Sequence, residues 1–227
     1  MLLQIPNLLT LEETNQCRQR LLQAEWIDGK VSTGHQSAHL KNNLQLAQDS
    51  EAACVMGDMI CQAFLNNPLA FSAALPKTIL PPMFNCYQHG GHFGQHVDNA
   101  IRKNPSNNQP MRTDLSCTVF FTNPDEYEGG ELLIEDTFGS KSVKLPAGHA
   151  ILYPSTSLHQ VLPVTQGARI ASFFWIQSFI ASDAQRHILF KLDQNIQKLT
   201  QILGATHSEV ISLTGIYHNL LREWSDL

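Results

Sequence analysis

No Cys-x-x-Cys pair occurs among the five cysteines, Cys17, Cys54, Cys61, Cys86 and Cys117, and their number is odd. That scatter argues against a disulfide framework and against a cysteine-based zinc site, and it suits a reducing compartment. No apolar run approaches the ~20 residues that a membrane-spanning helix requires. The first residues, MLLQIPNLLT, carry no basic side chain, and Glu12 and Glu13 follow, so a secretory leader is not expected and a cytoplasmic location is. There is no basic surplus: the net charge is −5 with ten neutral histidines. Neither a nucleic acid nor a membrane surface is therefore an expected partner. Internal repeats and low-complexity tracts are absent too. Only 15% of the residues are charged and 43% are hydrophobic, an ordinary globular composition that excludes the disordered and fibrous classes.

The 227 residues suffice for one sizeable domain, or for a domain with a small appendage. Thr10-Leu11-Glu12-Glu13 forms a capping box that opens a helix over 10–24, with Leu11, Arg18, Leu21 and Leu22 on a helical period. Residues 28–43 are polar and turn-rich, and a second helix is expected over 48–65 with Ala53, Met56, Ile60 and Phe64 on one face. From Lys77 to Phe179 the pattern changes to short β-branched and aromatic runs such as DLSCTVFFT, GELLIED and ARIASFFWIQSFI, each bounded by Gly, Pro or Asn. Such spacing predicts a β-sandwich or barrel. The polar stretch between Ala100 and Asp114 is long for a loop in a compact domain, which predicts a lid or a mobile insertion. After Ser182 two helical stripes follow, Ile188, Leu192, Ile196, Leu199 and Leu203, then Val210, Leu213, Ile216, Leu220 and Trp224. Gly204 separates them, and Thr206 to Glu209 reads as a second capping box. The prediction is a mainly β fold with N-terminal helices over residues 1–180, and a C-terminal helical hairpin over 181–227. The hairpin's stripes would pack on the barrel or on each other, with a homodimer contact as the alternative.

The chemistry starts at His96-Val97-Asp98. On an extended segment these two ligand types share a face while Val97 takes the other. The pair alone reads more readily as surface than as site. His159 opens a later strand-like run, and two histidines with one carboxylate make the facial triad of non-haem Fe(II) oxygenases, which leaves half an octahedron open. Arg169 lies ten residues on and shares a face with Ala171, Phe173 and Trp175. A cation among apolar neighbours needs a carboxylate partner. That partner is either an Asp or Glu of the chain, or the distal carboxylate of a dicarboxylic co-substrate such as 2-oxoglutarate, which the planar guanidinium would grip in bidentate fashion. Tyr87 sits on the preceding strand-like run, placed to bond the same carboxylate or simply to fill the core.

The run Tyr87-x-x-Gly90-x-x-Phe93-x-x-His96-x-Asp98, then EGGELLI from Glu128, then PAGHAILYPSTSLHQVLPVTQGARIASFFW, resembles the Fe(II)/2-oxoglutarate dioxygenases of the prolyl-4-hydroxylase type. More closely, the chain resembles the bacterial PKHD-type hydroxylases (the PiuC/YbiX group) over essentially its whole length, including MLLQIPNLL, LKNN and the C-terminal extension. No motif position departs from the pattern. The resemblance implies a double-stranded β-helix, or jelly-roll, barrel. It implies Fe(II) held by His96, Asp98 and His159, and 2-oxoglutarate held through Arg169 with Tyr87 beside it. It also implies hydroxylation of a prime substrate coupled to decarboxylation of 2-oxoglutarate, ascorbate as the reductant that keeps the iron ferrous, and an association with iron uptake. The prime substrate, a small molecule or a peptide or protein side chain, does not follow from it. A cupin-type metalloenzyme without 2-oxoglutarate, and a non-catalytic iron or 2-oxoglutarate sensor, are the rival readings.

The remaining histidines read as bystanders. His89 and His92 are expected in the pocket wall or at the surface, since Gly90, Gly91 and Gly94 disfavour a helix there that would pair His92 with His96. His149 reads as core or as a support to the site. His35, His39, His187, His207 and His218 read as solvated. Arg102, Lys103 and Arg112 read as a solvated loop, with an anionic or peptide substrate as their alternative role.

Overall fold

The computed structural model describes residues 1–32, 38–136 and 139–227. His35 lies outside the described residues. Along the chain the elements are β1 (Leu3–Ile5), α1 (Leu11–Gln23), β2 (Trp26–Asp28), β3 (Lys41–Asn42), β4 (Leu44–Leu46), α2 (Glu51–Asn66), α3 (Pro68–Ala74), β5 (Pro76–Ile79), β6 (Met83–Gln88) and β7 (His92–His96). They continue with β8 (Ile101–Lys103), β9 (Pro110–Arg112), β10 (Leu115–Phe120), β11 (Tyr127–Gly129), β12 (Leu132–Asp136), β13 (Gly139–Val143), β14 (Ala150–Pro154), β15 (His159–Val161), β16 (Val164–Ser178), α4 (Asp183–Leu203) and α5 (Ser208–Trp224).

Two antiparallel sheets face each other. The larger runs β1-β14-β10-β16-β6-β4-β2, with β5 and β11 joined to β16, and the smaller runs β13-β12-β15-β7-β3. This is the predicted jelly roll. Alternation along the strands divides the core in two. Leu115, Cys117 and Val119 of β10, with Phe174 and Ile176 of β16, turn outward onto the helices, where they meet Met56, Ile60 and Phe64 of α2. Phe120, Tyr87, Ile151 and Tyr153 turn inward and pack between the sheets with Leu132, Ile134 and Val161.

The helices follow their expected chemistry. Thr10 and Glu13 complete the capping box of α1, and the buried face of α2 is Ala53, Met56, Gly57, Ile60 and Phe64, as its spacing requires. On α1 the buried face is Thr14, Cys17 and Leu21, while Leu11 and Leu22 are exposed. Helix α3 was not foreseen; Asn67 caps it and Pro68 opens it. The Phe64 ring is fully buried and meets Phe174 edge-on at 5.7 Å. Phe64→Ala should cost about 3–5 kcal/mol, read as a lower urea midpoint at unchanged slope.

The C-terminal helices pair with each other and seat on α3 and the end of β16. Leu75, Ile180 and Leu189 form a cluster with Tyr217, Leu220, Leu221 and Trp224. The predicted stripes hold in part: Ile196 and Val210 are buried, and Leu220 and Trp224 join this cluster. On α4 the buried residues are Arg186, Leu189, Phe190 and Ile196, whereas Ile188 and Leu203 are largely exposed; on α5 Tyr217 packs inward and Ile216 does not. One buried position of α4 is taken by Arg186, which donates to the carbonyls of Ile180 and Ala181. The second capping box is also corrected. The N-cap of α5 is His207, whose imidazole accepts from Glu209 N–H, not Thr206. No helix among the described residues is long and apolar enough to cross a membrane.

Candidate metal and co-substrate site

Strands β7 and β15 are paired so that His96 stands opposite His159. Asp98 follows two residues after His96, and the ligand atoms of His96, Asp98 and His159 all lie within 4.8 Å of one another. Among the described residues this is the group of three that could hold a metal ion. Both imidazoles are oriented in the same way. His96 Nδ1 donates to the Gly94 carbonyl at 2.8 Å, and His159 Nδ1 donates to the Ser157 carbonyl at 2.9 Å. A carbonyl can only accept, so the proton sits on Nδ1 and the Nε2 lone pair of each ring is free for a metal. Phe93 stacks on His96 with ring centres 3.6 Å apart, and Tyr153 meets His159 edge-on at 5.2 Å. Burial, and next to it His159, hold the His96 pKa down at about 4, so this ring is neutral and ready to ligate near pH 7.

Asp98 is steadied from the large sheet. The Ser116 hydroxyl donates to Asp98 Oδ2 at 2.6 Å and is held in turn by Ser155 at 2.7 Å. Oδ2 lies 3.9 Å from His159 Nε2. Neither serine was singled out from sequence. The signal was present in DLSCTVFFT, where Ser116 and Thr118 alternate with Leu115, Cys117 and Val119: the polar face of a buried strand needs a reason to be polar. Groups that orient a ligand are worth about 10–100-fold in metal affinity, so Ser116→Ala should weaken iron binding by that order, measured by competition with a chromogenic chelator.

Arg169 is 1% exposed, and its Nε has no hydrogen-bond partner. No carboxylate among the described residues pairs with it, which removes the structural salt bridge as its explanation. Its register partner across the sheet is Tyr87, whose ring centre lies 5.4 Å from the guanidinium carbon, and Phe120 flanks it at 5.1 Å. Burial raises the Tyr87 phenol to about 12, against the pull of Arg169, so it remains a donor at neutral pH. Tyr127 is buried beside Arg169 as well; burial raises its phenol pKa, and Arg169 opposes that rise. Room for this arginine comes from Gly130, at φ +67, where an added Cβ would stand 3.2 Å from Arg169 Cδ. A buried cation without an anion costs free energy; the unpartnered Nε and the missing anion fit a carboxylate ligand.

Both features open into one cleft enclosing about 790 Å³, part of it open to solvent. Tyr87, His96, Asp98, His159 and Arg169 all line it, so the structure brings together every residue expected at the site. It also adds two cations. Lys41, 3% exposed, bonds Gln45 and is pushed down to about 8 by burial first and Arg102 next. Arg102 comes from the stretch predicted to be a lid or mobile loop. That stretch is instead the β8–β9 hairpin, closed by a turn in which Asn108 N–H bonds the Asn104 carbonyl. The hairpin is anchored by Arg112, which pairs with Asp114 at 2.6 Å and with Asp226 at 3.0 Å. Lys103 is exposed as expected. The other histidines stay out of the cluster: His89, His39, His187 and His218 are exposed, while His92 and His149 are half-buried.

Comparison with known proteins now has geometry to meet. Residues 82–177 match the model of the 2OG-Fe(II) oxygenase superfamily, and residues 183–226 match the PKHD-type hydroxylase C-terminal domain. The fold is that of a prolyl-4-hydroxylase from Pseudomonas putida, at a TM-score of 0.53 and 17% identity over 78% of this chain and 92% of that one. The class is therefore that of the iron- and 2-oxoglutarate-dependent oxygenases, and the chain is an oxidoreductase, a dioxygenase of that class. A PKHD-type hydroxylase of Methylobacillus flagellatus is 56% identical over the full length of both chains. The PKHD-type hydroxylase PiuC of Pseudomonas aeruginosa is 54% identical, again over the full length of both. The chain belongs to the PKHD-type hydroxylase family.

Proposed function

We propose that the chain hydroxylates a prime substrate with Fe(II) bound by His96, Asp98 and His159 and with 2-oxoglutarate bound through Arg169 and Tyr87. The observation that carries this reading is the pairing of two halves in one cleft: a three-ligand cluster with both Nε2 atoms turned inward, and a buried guanidinium that no carboxylate among the described residues pairs with. A cupin-type site would give no reason for the second half. When bound, the metal and co-substrate would activate O2, the oxidant: one oxygen atom would go into succinate as 2-oxoglutarate loses CO2, and the other into the substrate C–H bond.

The chain's own residues do the positioning. His96, His159 and Asp98 would hold the ion with three protein ligands, fewer than an octahedral ion takes, leaving positions for co-substrate and O2. The Gly94 and Ser157 carbonyls fix the two tautomers, and Ser116 fixes the carboxylate. Arg169 and Tyr87 hold the far carboxylate of the co-substrate, while Phe93, Phe120 and Tyr153 exclude water around both ends. Residues 1–180 form the catalytic unit and 181–227 a helical extension that packs on it. Ascorbate acts as the reductant that restores Fe(II), and a link to iron uptake rests on the family resemblance, as does a cytoplasmic location.

Succinate formation tests the reading. Wild-type protein with Fe(II) and 2-oxoglutarate should form succinate on admission of O2, and more of it in the presence of the true substrate. Ascorbate should extend the number of turnovers without being needed for the first. A protein that binds both ligands yet forms no succinate with any candidate substrate is a sensor, and the hydroxylase reading falls.

A further inference from the structure

The cleft has a second cationic end, opposite in role to Arg169. In the β8–β9 hairpin Arg102 is the register partner of Met111, so the two side chains leave the same face. Met111 is buried with Leu80, Met83 and Trp175, and the Arg102 guanidinium carbon lies 4.0 Å from the centre of the Trp175 ring. Stacking fixes the plane of the guanidinium but uses none of its N–H donors. No carboxylate among the described residues forms an ion pair with Arg102, although it is half-buried. The hairpin is pinned on its other face by the Arg112 ion pairs, so Arg102 is held in place over the cleft.

What surrounds it is specific. Trp175, whose indole N–H has no partner, lines the cleft together with Phe93, Phe173 and Val97, an apolar wall. Lys41 stands on the same side, 5.5 Å from the Phe93 ring centre and 5.7 Å from that of Phe173. On the reading proposed above, the charges of the metal and Arg169 offset Asp98 and the two carboxylates of 2-oxoglutarate. Asp98 is the carboxylate whose charge reaches Arg102, and once that charge is offset Arg102 faces the cleft with no uncompensated anion. We propose that Arg102, supported by Lys41, binds a carboxylate of the prime substrate, whose apolar part lies along Phe93, Phe173 and Trp175. The substrate class is a carboxylic acid with an apolar body, either a free small molecule or an acidic segment of a larger one. This rests on the proposed placement of 2-oxoglutarate at Arg169.

The test uses full-length protein carrying Mn(II) and N-oxalylglycine, an unreactive 2-oxoglutarate mimic. Matched acid and amide pairs are titrated by calorimetry: benzoate with benzamide, 3-phenylpropionate with its amide, N-acetylglutamate with N-acetylglutamine. At least one acid should bind about tenfold more tightly than its amide. Arg102→Gln should remove that preference, Arg102→Lys should keep part of it, and both variants should hold N-oxalylglycine within about twofold of wild type. The inference is overturned if no pair favours the acid, if Arg102→Gln binds the acid as wild type does, or if Arg102→Gln loses N-oxalylglycine. Failure of N-oxalylglycine to bind the Mn(II) wild type is read before any acid is added and counts against the co-substrate reading instead; the acid and amide titration without the mimic then decides the role of Arg102.

Discussion

Asp98→Ala is expected to abolish iron retention and succinate formation together, in a protein that remains folded. Asp98 is the carboxylate of the three-residue cluster, and its loss leaves two imidazole ligands, a side chain that brings no negative charge to offset a dication. The variant should still fold. In the metal-free protein the Asp98 carboxylate sits on the cleft wall beside two histidines and is satisfied by a hydroxyl, so its removal empties no core position. The check is metal analysis after anaerobic gel filtration, with thermal unfolding alongside. Stoichiometric iron in Asp98→Ala would mean that the metal lies elsewhere. Asp98→Asn, which keeps the shape and the Ser116 contact but not the charge, should resemble the alanine variant in iron content.

Arg169→Gln is expected to separate co-substrate binding from stability. Removing one partner of a buried charge pair costs about 2–5 kcal/mol, so 2-oxoglutarate affinity should fall roughly 30-fold to several thousand-fold. Iron binding should persist, because Arg169 is not one of the three ligands. The ligand-free variant should be as stable as wild type or more so, since it no longer buries a cation without an anion. Thermal unfolding with and without 2-oxoglutarate reads both effects. In wild type the ligand should raise the midpoint, and in Arg169→Gln it should not. A variant that melts early without ligand and still responds to 2-oxoglutarate would make Arg169 a structural residue.

A β-sandwich or barrel was legible because strand alternation is a local pattern, whereas the jelly roll and the proposed ligand roles rested on the family resemblance. Alternation carries a strand's two faces, and His96 with Asp98, or Arg169 with Phe173 and Trp175, are short-range statements about one strand. What was not legible needed contacts between strands. Ser116 gains its role only because β10 runs beside Asp98, and Lys41 only because β3 pairs with β7 so that Lys41 stands opposite Phe93. The 100–114 stretch read as a loop because Ile101 to Lys103 and Pro110 to Arg112 are three-residue strands, too short for periodicity to declare them. The phase of α4 was misread in part, for a different reason: apolar residues lie all round that helix, and one buried position is taken by a hydrogen-bonded arginine, Arg186.

The central claim is that one cleft holds the metal at His96, Asp98 and His159 and the co-substrate at Arg169. The visible charge-transfer band of an Fe(II)–2-oxoglutarate chelate, recorded without O2, is the direct test, since the band reports the chelate and its loss in a ligand variant shows which residues hold the ion. Wild type should show the band on adding both components and neither alone. Asp98→Ala should show none, and Arg169→Gln should show it only at much higher 2-oxoglutarate. An absent band in wild type, or an undiminished one in Asp98→Ala, would contradict the account.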